Sequence, residues 1–244
     1  MSQFLRSEAD RKKICGQVSH SLPIQTWPQG SSTIEADYYD PVKDLLNKCI
    51  EIGYSAIQET YGKDLKYYYE GLRFMKYGKE TGDKLPHSAG ALKPELIGFL
   101  AEDSAKLKQT PTAWWGAVPK TQPTGVHIEM VAIVKDDWND VFEQAGAYAR
   151  CQFDASPGRS YVMVLGFNYA RMTMRCLRMH RSAITTTYEI DLSNDEGRSE
   201  FLKVLLAMLT WPDRSDAGFV EYSDGMEYFF SSEWEYALTH PFTT

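Results

Sequence analysis

The sequence predicts an α/β domain in which helices pack against a mixed β-sheet. Segments with helical periodicity alternate with apolar segments in the order helix, strands, helix, strands, helix. The run Val126–Lys135 (VHIEMVAIVK) is apolar almost throughout, as expected of a centrally placed strand. A hydrophobic share of 43% over 244 residues supports a substantial core and excludes wholesale disorder.

The elements follow in chain order. Residues 1–33 are polar and broken by Pro23, Pro28 and Gly30-Ser31-Ser32, so they read as a peripheral arm, with room for a short helix around Glu8–Val18. Residues 34–244 form the domain. A helix is expected after Asp40-Pro41, a cap followed by proline at the first helical position. Val42, Leu45, Leu46, Cys49, Ile50 and Ile52 give it one buried face, and Gly53 and Gly62 bracket a frayed continuation. Aromatic Leu65–Tyr77 suits a strand or hairpin arm, and Gly78–Gly90 a loop. Leu92–Leu100 reads as a second strand and polar Ala101–Thr112 as a lid or insertion. Asp137–Phe153 is helical, with Asp140 or Asn139 as caps. Tyr161–Phe167 and Arg171–Met179 make a hairpin around Asn168-Tyr169. Ile184–Ile190 is a third strand of this group, Ser199–Thr210 a helix stopped at Trp211-Pro212, and Phe219–Phe230 a terminal hairpin turning at Asp224-Gly225.

Composition narrows the function. Net charge is −7, which excludes a general nucleic-acid coat, because counterion release needs a basic face. Cys15, Cys49, Cys151 and Cys176 are scattered without a CxxC pair, so neither a disulfide scaffold nor a zinc ribbon is indicated. The histidines lack HxH or HExxH spacing, and no G-x-S-x-G elbow is found. Met1 is followed by polar and charged residues, and no run of about 18 apolar residues occurs. The expectation is an intracellular protein, cytoplasmic or nuclear, with no signal peptide and no membrane partner.

The most informative pattern is Pro94-Glu95, then Ile133-Val134-Lys135, then Gln144-x-x-x-Tyr148. It resembles the core of the PD-(D/E)XK nucleases, and its last element resembles the QxxxY helix of the RecB-type branch. The resemblance implies a restriction-endonuclease-like fold, with Glu95, Lys135, Gln144 and Tyr148 in the catalytic positions. In such a site two acids on adjacent strands converge on Mg²⁺, which activates water while the lysine steers it. Here Ile133 stands where the second acid belongs. Glu129 shares its strand parity but lies four residues off, roughly 13 Å along a strand. Glu51 on the first helix is the other candidate ligand. The expectation is a nuclease-like frame with a broken metal site, needing no cofactor, or Mg²⁺ if active.

A longer stretch, Leu92 to Gly218, resembles the region preceding the kinase domain in the fungal-type protein kinase family. The matching elements are Lys93-Pro94-Glu95-Leu96, Trp114-Trp115-Gly116, Ile133-Val134-Lys135, Gln144 through Tyr148-Ala149-Arg150, and His180-Arg181-Ser182-Ala183 leading into Thr185–Ile190. The departures are Glu for Asp at 95, Ile for Glu at 133, and His180 in place of an aspartate-led turn. No Gly-rich phosphate loop, HRD or DFG occurs, so kinase activity is not implied.

Charge is also segregated. From Arg150 to Arg181 lie Arg150, Arg159, Arg171, Arg175, Arg178 and Arg181 with one acid, Asp154, giving +5 against −12 for the rest. Arg171, Thr173 and Arg175 alternate with Met172, Met174 and Cys176, so one strand face is expected to be arginine-lined. Such a face suits phosphate or carboxylate of a partner; the reading preferred on sequence is that the arginines pair with the chain's own acids, such as Glu221, Glu227, Glu233 and Glu235, or form an ordinary solvated sheet face. Three functions follow: a silent nuclease-like module that binds protein, with nucleic acid possible through the arginine strip; an active Mg²⁺-dependent nuclease; or a regulatory interaction factor unrelated to nucleic acid.

Overall fold

The computed structural model describes residues 34–62, 67–81, 92–100, 113–115, 126–211 and 215–219. The expected arm 1–33 with a short helix, the expected lid or insertion 101–112, and the expected hairpin Phe219–Phe230 past its first residue lie outside the described residues. Within them the strands are β1 (Leu72–Lys76), β2 (Leu96–Leu100), β3 (Ala113–Trp114), β4 (Val126–His127), β5 (Met130–Lys135), β6 (Tyr161–Asn168), β7 (Thr173–His180), β8 (Ile184–Thr186) and β9 (Ile190–Asp191). A 3₁₀ turn (Glu35–Tyr38) leads into α1 (Tyr39–Tyr61), and α2 (Trp138–Ala155) and α3 (Asp195–Leu209) complete the helices.

The result is a mixed α/β fold. Seven strands form one sheet in the order β1-β2-β5-β6-β7-β8, with β9 beside β7, while β3 and β4 pair separately. Only β5 and β6 are parallel within the large sheet, and α2 makes the crossover between them. Strand alternation then divides the core. Met130, Ala132 and Val134 face α1 and α3; Val131 and Ile133 face α2.

Several boundaries differ from the sequence expectation, for local reasons. Helix α1 starts at Tyr39, so Asp40 and Pro41 lie in its first turn, where the missing proline N–H is not needed and the acid suits the helix dipole. Gly53 does not end α1. A Cβ there would lie 2.9 Å from Leu206 Cδ2, so the glycine lets α3 approach closely. Gly62, at φ 85°, terminates the helix. The cap of α2 is Asp137, whose carboxylate accepts the Asn139 N–H at 2.7 Å. Asn194 caps α3 by accepting from Gly197 N–H, so the helix starts at Asp195, four residues before the expected Ser199.

Two expected strands are broken by side chains that displace the ladder. Val126–Lys135 divides at Ile128-Glu129: Gln152 donates to the Ile128 carbonyl at 3.2 Å, and the Glu129 N–H goes to Gly98. Ile184–Ile190 divides at residues 187–189, because the Thr187 hydroxyl accepts the Cys176 N–H in place of a strand carbonyl. The β6–β7 connection is longer than a two-residue turn. Asn168 Oδ1 accepts the Arg171 N–H, and Met172 takes φ 53°.

Candidate functional site

The carboxyl ends of β5 and β6 and the start of β2 meet at one edge of the sheet. Edges of this kind, beyond the carboxyl ends of parallel strands, are where α/β folds place their sites. The last registered β2–β5 pair is Leu96 with Ala132. One residue further, Glu95 stands opposite Ile133, and Lys135 follows two residues on, on the same face as Ile133. An aliphatic side chain thus lies across from the acid.

Helix α2 adds the amide and the phenol. Gln144 and Tyr148, one turn apart, both point toward Glu95. Gln144 Nε2 donates to the Tyr148 hydroxyl oxygen at 2.7 Å and to Glu95 Oε2 at 3.4 Å. The Tyr148 hydroxyl lies 3.3 Å from both Glu95 Oε2 and the Lys93 carbonyl. Ile133 is fully buried in the apolar cluster that also holds Val141, Ala145 and Tyr148.

A second carboxylate arrives from a place the motif did not indicate. Glu35, on the 3₁₀ turn before α1, accepts from Lys135 Nζ through both oxygens, at 2.8 and 2.9 Å. The Tyr39 hydroxyl also donates to Glu35. The turn is fixed against the sheet by Tyr38, whose ring stacks on Tyr169 at 4.4 Å. Lys135 therefore joins the cluster through Glu35, while its charge is also felt at Glu95.

Burial raises the Glu95 carboxyl above the usual range; Glu35 adds to the rise, and its own N–H, Lys135 and Tyr148 oppose it. Burial also drives Tyr148 and Tyr39 well above the ordinary phenol value, helped by the neighbouring carboxylates. Both phenols stay protonated donors. A carboxyl raised in the folded state stabilises the fold when protonated, below its unfolded value of roughly 4.3, and this contribution is lost as pH rises through the folded value. Relative to wild type, Glu95→Gln should therefore gain stability between acid and neutral pH. Thermal unfolding across that range checks it, and a gap independent of pH would contradict the raised carboxyl.

The other candidate ligands lie elsewhere. Glu51 is exposed on α1 and pairs with Lys48 at 3.1 Å. Glu129 is buried before β5, accepting from Tyr68 at 2.9 Å and paired with Arg159 at 3.5 Å. Neither reaches Glu95. Among the described residues, no three His, Cys, Asp or Glu side chains are grouped to hold a metal ion. A hard divalent cation needs several free oxygens in near-octahedral positions. Both Glu35 oxygens face an ammonium, and the position opposite Glu95 is a hydrocarbon.

The arginines do not form one face. Arg175 lies on the α2 side over Trp138, 4.9 Å from the ring centre, and shares Glu189 with Arg171, at 3.4 and 3.7 Å. Burial alone would raise the Glu189 carboxyl, but hydrogen bonds from Thr173 and Arg175 outweigh it and hold it low. Arg178, three residues on, turns to the opposite face and covers Tyr161 at 3.7 Å. Arg181 covers Phe153 at 4.7 Å and donates to the Pro157 carbonyl, and Arg150 is exposed nearby on α2. Arg159 is interior. Among the described residues, no helix is long and apolar enough to cross a membrane. Compared with family models, with curated proteins and with solved structures, the chain matches none.

Proposed function

We propose that the chain is a catalytically silent relative of the PD-(D/E)XK nucleases, with a restriction-endonuclease-like core used for binding protein, and that it is akin to the region preceding the kinase domain in fungal-type protein kinases. The observation that carries the reading is Ile133, buried directly opposite Glu95. Hydrolysis by this route needs a carboxylate there to share the cation. Lys135 would act on the attacking water in an active member. Here it neutralises Glu35 instead. Protein is favoured over nucleic acid as the ligand because the arginines divide between both sheet faces and several have partners in the fold. A strand of phosphates needs one continuous basic track.

The active Mg²⁺-dependent nuclease remains the second reading, on one observation. Glu35 brings a second carboxylate to Glu95, and Gln144 Oε1 is buried with no hydrogen-bond partner among the described residues. Calorimetric titration with MgCl₂ and MnCl₂ separates the two. Silence predicts no saturable heat and intact DNA and RNA after incubation. A saturable site lost in Glu95→Gln, with cleavage abolished by Lys135→Ala, would establish the nuclease.

A further inference from the structure

We propose that β8 is a docking edge for an extended acidic segment of a partner protein, which adds to the sheet as a further strand. The proposal rests on the binding role above, but not on the silence of the Glu95 cluster. Strand β8 ends the sheet order, and Ile184, Thr185 and Thr186 are all exposed. Natural edges are protected by lysine, proline, bulges or cover. The run Ile184-Thr185-Thr186-Thr187-Tyr188 has neither charge nor proline, and its β-branched residues favour pairing. Three large apolar side chains stand exposed among the described residues, and two are here: Ile184 at 46% and Tyr188 at 65%.

The opposite edge shows what protection looks like. At β1, Asn47 of α1 takes both the N–H and the carbonyl of Phe74, each at 2.8 Å. No side chain among the described residues does this for β8. The phase of the β7–β8 ladder is fixed by Thr187 N–H donating to Cys176 O and His180 N–H donating to Ala183 O. Thr185 therefore turns its backbone toward β7, and Ile184 and Thr186 turn theirs outward.

Charge identifies the occupant. On the α2 side, Arg150 and Arg181 rim a groove of about 470 Å³ between α2 and the β7–β8 turn, with Ala149, Phe153 and Met179 in its wall. Asp154 is the one acid in that lining. On the other side stands exposed Arg178. An added strand projects its side chains alternately to both faces, so glutamates meet arginine on each and an apolar side chain enters the groove. A second copy is a poor fit, because uncharged β8 offers these arginines nothing and would bring two sets of them together.

The test uses the full chain and a labelled peptide of about ten residues in the repeat Glu-Glu-Val-Val, which sets glutamate and valine on both strand faces, read by fluorescence anisotropy. The expected result is binding that weakens about tenfold between low salt and about 0.5 M salt, with a lysine–valine peptide not binding. Thr186→Pro should abolish binding with an unchanged melting temperature, because the N–H it removes faces outward. Arg178→Glu/Arg181→Glu touches no ladder bond and should weaken binding at least about tenfold. Equal binding of the two peptides, or undiminished binding by Thr186→Pro, would overturn the proposal. So would a dimer that Thr186→Pro dissociates. Failure here leaves the calorimetric result on Glu95 standing, and a metal site found there leaves this edge untouched.

Discussion

Glu129→Ala should lower the unfolding free energy by about 3–5 kcal/mol, because it strands a buried guanidinium. The Arg159 side chain is 2% exposed and that of Glu129 10%, with 3.5 Å between Nη2 and Oε2. Phe219 lies 4.3 Å from the guanidinium carbon and cannot replace the carboxylate, and Arg159 Nε already has no hydrogen-bond partner among the described residues. Tyr68 would lose its acceptor as well. The pair itself stabilises little, since removing two charges from water offsets most of their attraction. The double change Glu129→Gln/Arg159→Met should consequently be milder than Glu129→Ala alone. Urea unfolding of the three proteins measures this. A single-variant loss below about 1 kcal/mol would mean that water reaches the arginine.

Ile133→Asp should destabilise the fold by more than about 3 kcal/mol in the absence of divalent cations. The new carboxyl would sit in the apolar cluster under α2, opposite Glu95, with only Lys135 nearby on its strand face. By contrast Ile133→Val, which removes one methyl group, should cost about 0.5–1.5 kcal/mol. If the proposed nuclease-like frame is right, the aspartate also completes a pair of strand acids. Added Mg²⁺ should then raise the urea midpoint of Ile133→Asp and leave wild type unmoved. An identical response from both proteins would mean that position 133 and Glu95 do not face a common space, and the proposed ancestry would lose its main support.

The parts of the site that were legible in the sequence are those set by spacing along one element. Gln144 and Tyr148 are four apart on a helix, and Lys135 ends an apolar strand. Glu35 was not legible, because its partner is 100 residues away and nothing about the polar stretch before α1 marks it. The one available signal was the Glu35-x-x-x-Tyr39 spacing, which a helical turn brings together. Periodicity argues against Glu51: it follows Ile50, outside the arc of Val42, Leu45, Leu46 and Cys49 that faces the core. Likewise Arg175 and Arg178 differ by an odd number, so one strand could not show both on the same face. The strand breaks at Ile128-Glu129 and Thr187 were hidden, since each depends on a side chain bonding to backbone from another part of the fold.

The division of the interior by the sheet has a consequence for how the molecule opens. Among the described residues, two helices share the larger apolar compartment, while the smaller one holds a single helix, α2, together with Ala113 and Trp115, so the two layers are expected to be unequal cooperative units. The smaller layer, which carries Gln144 and Tyr148, should therefore detach at the lower free energy. Solvent would then reach Glu95 and Ile133 while the α1–α3 side stays closed, and hydrogen exchange should show amide protons of α2 exchanging ahead of those in β5 and β6.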